Sequence, residues 1–198
     1  MNGSFVLRAI LSITMLLSSD LASAQKYTGP RCLGPYCLNR DAVISQLFKQ
    51  LGPAPRSSEF APYCYESKDR GVFLYLRSAE GVPPTVDAAF LSDFPNCMHI
   101  ATASTTDNLN RWRTPEGIGL GSSEQDVLHA YGKPSREGKP DSKTYRGLVK
   151  GYQKDDTLPD LGDKELQYGA GQAMGDLSLA KFGIRNGKVS YIWLSYSD

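Results

Sequence analysis

Histidine is nearly missing from this chain, with only His99 and His129 present among 198 residues. That leaves little material for imidazole proton transfer or for a histidine-rich metal site. No serine sits in a GxSxG nucleophile elbow, so the hydrolase pattern built on that turn is absent. The run Gly117-Ile118-Gly119-Leu120-Gly121 is neither GxGxxG nor followed by a Walker lysine, which excludes the usual nucleotide loops. Its glycines read instead as a sharp turn into a helix, with Ile118 and Leu120 packing inward. An excess of either charge is also missing: 22 basic residues face 21 acidic ones, for a net charge of +1. With no basic cluster there is no footprint for nucleic acid. No apolar run is long enough to span a bilayer, and no cofactor or metal is expected.

What is present begins with a leader. Arg8, the apolar stretch from Ala9 to Leu17 and the small residues Ala22-Ser23-Ala24 predict a secretory signal over residues 1–24. No cysteine follows the predicted cut, so no lipid anchor is expected. The reading is an exported protein, periplasmic or secreted.

All four cysteines, Cys32, Cys37, Cys64 and Cys97, lie in the first half of the mature chain. In an exported protein an even count favours disulfides, and four cysteines allow three connectivities. Cys32 and Cys37 flank the turn-forming Gly34-Pro35, which favours a local bridge and leaves Cys64 to join Cys97. A zinc site is the weaker alternative, because no CxxC spacing or histidine cluster accompanies these thiols.

A helix-stop pattern occurs twice. Val43, Ile44, Leu47, Phe48 and Leu51 end at Gly52-Pro53; Val127, Leu128 and Tyr131 end at Gly132 and Pro134. Glycine can take the left-handed conformation that closes a helix, and proline prevents resumption. Asn39 predicts the first helix start, and Ser122 with Gln125 predicts a capping box for the second. Strands are predicted over 60–66, 72–76 and 86–91, then over 143–149, 177–184 and 189–195. Asn186-Gly187 reads as a tight hairpin turn between the last two. The resulting fold expectation is α+β: two tandem repeats, each a helix or helix-loop-helix packed on its own small antiparallel sheet. The first would cover 25–112 and the second 113–198, with an insertion at about 153–176.

Aromatic residues alternate along the predicted strands: Tyr63, Tyr65, Phe73 and Tyr75, then Tyr191, Trp193 and Tyr196. Large rigid rings on a solvated sheet face suit protein binding. Trp193 is assigned to the core, while Tyr75, Tyr191 and Tyr196 are the candidate binding residues. A competing enzyme reading, an envelope hydrolase or small-ligand binder, would use His99 with Asp93 or the acidic insertion carrying Asp155, Asp156, Asp160 and Asp163. Those acids lack the ordered spacing of a calcium loop. His129 falls on a helix and reads as structural. A third reading is a structural envelope component.

The segment Thr114–Pro134, TPEGIGLGSSEQDVLHAYGKP, resembles the helix-and-sheet repeat of the beta-lactamase inhibitory protein and of the small outer-membrane assembly lipoproteins. Together with Leu91-Ser92-Asp93-Phe94-Pro95-Asn96-Cys97 it also looks like exported bacterial proteins of unknown function. The resemblance implies helices packed on an antiparallel sheet and used as a protein-binding scaffold. The chain departs from it by lacking a lipidated cysteine and by confining its cysteines to one half. No segment matches an enzyme-contacting loop, so no inhibitory residue is carried over. The functional expectation is a non-catalytic module with an unidentified protein partner.

Overall fold

The computed structural model describes residues 29–37, 44–55, 61–67, 71–79, 85–148, 156–169 and 177–197. The predicted leader, the Asn39 cap and parts of the predicted insertion lie outside them. In chain order the elements are strands β1 (Cys32–Leu33) and β2 (Tyr36–Cys37), helix α1 (Ile44–Leu51), and strands β3 (Tyr63–Ser67), β4 (Val72–Ala79), β5 (Thr85–Ser92) and β6 (Thr102–Thr105). A 3-10 turn (Leu109–Arg111), α2 (Glu124–Tyr131), β7 (Arg136–Gly138), α3 (Ser142–Leu148), β8 (Lys164–Gly169), β9 (Leu177–Arg185) and β10 (Lys188–Ser197) complete it. Among the described residues no helix is long and apolar enough to cross a membrane.

The expectation of two tandem repeats, each with its own helix and small sheet, is overturned. Apart from the β1–β2 ribbon, the strands form one eight-stranded mixed sheet in the order β6-β3-β4-β5-β10-β9-β8-β7. Strands dominate, and the helices are short. The sheet is continuous because β5 pairs directly with β10, placing Trp193 opposite Phe90. A boundary between units at that point would leave both strands as unpaired edges inside the molecule, which backbone hydrogen bonding disfavours.

Local signals account for much of what forms. Ile44, Leu47 and Leu51 give α1 one buried face, and Gly52, at φ 84°, ends it with its amide on the Phe48 carbonyl at 2.9 Å. The capping box of α2 is real but lies one residue later than expected. Ser123 accepts from the Asp126 amide, and the Asp126 carboxylate accepts from the Ser123 amide. Gly132 closes the helix as predicted. Asn186 and Gly187 both have positive φ, the conformation of a tight hairpin turn joining β9 to β10.

Two assignments fail. The expected strand over 143–149 is α3, because Asp141 caps it by accepting the Lys143 amide, while its carbonyl accepts the Tyr145 amide. The expected insertion holds β8, whose alternating Leu166 and Tyr168 are buried against the sheet's helix side. The edge strand β6, which pairs parallel with β3, was also not anticipated.

Both faces of the sheet are covered. One packs α1, α2 and the Trp112–Leu120 segment against Tyr65, Leu74, Leu91, Phe182, Ile192 and Leu194. The other is an aromatic core of Tyr75, Phe90, Tyr191 and Trp193 beneath Phe94, Tyr145 and Leu161. The bridges Cys32–Cys37 and Cys64–Cys97 match the favoured connectivity and fit an oxidising compartment.

Candidate functional site

The three tyrosines proposed for binding do not form a surface. Tyr75 is 0% exposed and Tyr191 3%, both on the aromatic face, while Tyr196 is half-buried against the opposite, helix-side core. Strand periodicity requires this separation, since positions 191 and 193 share parity and position 196 does not. Assigning Trp193 to the core therefore committed Tyr191 to the same side.

Register explains what the aromatic face does. A single row crosses the sheet through Thr102, Cys64, Tyr75, Phe90, Trp193, Lys181, Gln167 and Arg136. Aromatic at its centre, it becomes charged and amide-bearing toward β7. Phe90 is the hub, with ring centroids 5.4 Å from Trp193, 5.3 Å from Tyr191 and 5.6 Å from Tyr145. In the adjacent row Tyr191 lies opposite Gly183, and Gly183 lies opposite Glu165. With no side chain at Gly183, the Tyr191 ring lies across the glycine, and its hydroxyl donates to Glu165 Oε2. Lys181 Nζ donates to the other carboxylate oxygen at 2.9 Å.

This Tyr191–Glu165–Lys181 network is largely buried. Burial, and then the neighbouring Glu165, push the Tyr191 phenol well above its ordinary range, so it serves as a hydrogen-bond donor and not as a nucleophile. Beside it lies a cavity of ≈ 10 Å³ lined by Phe90, Asp141, Tyr145, Lys181 and Trp193 among others. The Trp193 Nε1–H has no partner among the described residues. Such a space matches one water molecule, for which a buried indole donor and nearby carboxylates are suitable partners. It cannot take a substrate. The alternation of Lys164-Glu165-Leu166-Gln167-Tyr168 was the sequence signal for this network, hidden in a stretch read as a polar insertion.

The residues of the enzyme reading are dispersed. His99, at φ 55°, holds Asp156 at 3.0 Å, whereas Asp93 accepts from Arg185 at 2.6 Å. Burial raises the Asp93 carboxyl above its usual value, with Arg185 opposing. Asp160 and Asp163 accept from the amides of Gly162 and Asn186, and so organise turns. Asp155 lies outside the described residues. Among those residues no three acids, histidines or cysteines gather to hold a metal ion.

A larger concavity lies on the other side of the molecule. This open hollow of ≈ 380 Å³ is bounded by Glu116, Gly117, Ile118, Ser122, Asp126, His129 and Ala130. Every one of these residues belongs to the Thr114–Pro134 segment. The turn is built by its own bonds: Thr114 N to Ile118 O at 2.8 Å, Gly117 N to Thr114 O at 2.8 Å and Ile118 N to Thr114 Oγ1 at 3.2 Å. Gly117 has φ 87°, which its missing side chain permits. The Tyr131 hydroxyl lies 2.5 Å from both Thr114 Oγ1 and Glu116 Oε2. Hydrogen bonds from Ser123 hold the Asp126 carboxyl below the usual carboxylate range. The hollow therefore has an apolar floor at Ile118, a preset shape and two carboxylate side chains, Glu116 and Asp126, at its margin. No protein-family model, curated protein or solved structure matches this chain, so the likeness read from Thr114–Pro134 stands on the sequence alone.

Proposed function

We propose that the chain is an exported, non-catalytic protein-binding module of the periplasm or extracellular space, whose recognition site is the hollow beside α2. The observation that carries this reading is the contrast in size and access. The hollow holds ≈ 380 Å³ and opens to solvent, against ≈ 10 Å³ for the cavity inside the aromatic core. A depression so open to solvent cannot enclose most of a small molecule's surface and suits a protruding side chain instead. Glu116 and Asp126 on its rim, over Ile118 and Ala130, suit a lysine or arginine whose stem packs on the floor. The two disulfides and the predicted leader support an oxidising location.

The test places a photo-crosslinking amino acid at exposed position 129, and a second at position 87 on the sheet's opposite face, in cells that export the protein. A discrete protein adduct from position 129, absent from position 87 and lost on Glu116→Lys, is expected. Identical adducts from the two positions, or none from 129, would refute the assignment.

A further inference from the structure

The two ends of the sheet are finished differently. β7 carries Arg136 and Glu137, is flanked by Pro134, Lys139 and Pro140, and is exposed throughout. Charge and proline are the usual means by which an edge strand avoids pairing with another chain. β6 has neither. The stretch Ala101-Thr102-Ala103-Ser104-Thr105-Thr106 contains no charged residue and no proline. Positions 101, 102 and 104 are exposed. One side of β6 pairs parallel with β3, and among the described residues nothing pairs with the other. Thr105 is buried and its hydroxyl accepts the Asp107 amide at 3.1 Å, while Ala103 packs on the helix-side core, so the strand is anchored while its neighbours at 101, 102 and 104 stay exposed.

We propose that β6 is a self-association edge, through which two copies of the chain pair antiparallel and extend the sheet across a two-fold axis. An edge of unpaired amides and carbonyls fits another extended backbone, and charge indicates whose. At a two-fold contact residue i meets residue j and j meets i, with only the residue on the axis facing its own copy, so a segment without charge opposes no like charges in any register, whereas a charged one does so in some. Of the two edges only β6 meets that condition. Thr102 and Ser104 add hydroxyls that can bond across the new pair. Four residues form a contact well below standard interface size, so association is weak and appears above about 0.1 mM.

Sedimentation velocity from about 10 µM to about 1 mM reads this directly. The expected result is a reversible monomer–dimer equilibrium, unchanged by Arg136→Ala and weakened at least about tenfold by Thr102→Lys with Ser104→Lys, which oppose like charges. Hydrogen exchange on the unaltered protein supplies a second readout: backbone amides across 101–105 should slow as concentration rises, while those of 136–138 should not. A protein that stays monomeric at about 1 mM, a dimer indifferent to the two lysines, or protection that grows at β7 would overturn the proposal.

Discussion

The two disulfides should differ in worth, and the difference follows from where they join the chain. Cys64–Cys97 closes a separation of 33 residues, whereas Cys32–Cys37 closes 5. Loop-closure entropy predicts about 3.7 kcal/mol from the long bridge and about 2.1 kcal/mol from the short one at 25 °C. The gap, about 1.6 kcal/mol, is about a 15-fold difference in the folding equilibrium constant. Replacing cysteines directly would confuse this comparison, because Cys64 is fully buried and loses packing when truncated. Urea unfolding of Cys32→Ala/Cys37→Ala, oxidised and then reduced, isolates the long bridge with its sulfur atoms retained. The same pair of measurements on Cys64→Ala/Cys97→Ala isolates the short one. The long bridge should give the larger loss of stability on reduction. If the short bridge is worth as much or more, the constraint on the unfolded chain is not what these links supply.

Two further perturbations test the interior and the α2 cap. Gly183→Ala puts a methyl group into the Tyr191 ring, so the ring must move and release Glu165 and Lys181; a loss of about 1–3 kcal/mol is expected in chemical denaturation, and no change would show that the ring is free to shift. Ser123→Ala removes half of the capping box and should lower stability by about 1 kcal/mol at pH 7. Because Asp126 has a folded pKa below its unfolded one, its contribution is present above the unfolded value near about 4 and is lost as pH falls through the folded value. The gap between Ser123→Ala and the unaltered protein should therefore narrow in acid, as thermal melts across that range would show; a gap that widens would contradict the cap.

The features readable from residues alone are those whose physics closes within a few positions. Gly52 and Gly132 end helices because their own backbone takes positive φ, Asn186-Gly187 turns for the same reason, and Cys32 finds Cys37 across four intervening residues. Even the misplaced cap erred by one residue, since Ser122 and Ser123 offer the same chemistry to the same helix start. At α3 the cue is equally local, since Asp141 caps the helix through the amides of Lys143 and Tyr145.

Which face of a strand meets solvent has a different origin. Tyr75 and Tyr191 obey the alternation that places them on one side of the sheet. Their burial is imposed by Phe94, Tyr145 and Leu161, which come from three separate stretches of chain. The pairing of β5 with β10, the parallel docking of β6 on β3 and the meeting of Lys181 with Glu165 likewise depend on contacts between distant segments. Local sequence determines conformation through steric limits and short hydrogen bonds. Strand order and burial come from the shared need of remote segments to satisfy their backbone groups and withdraw apolar surface from water, so only the assembled chain could decide them.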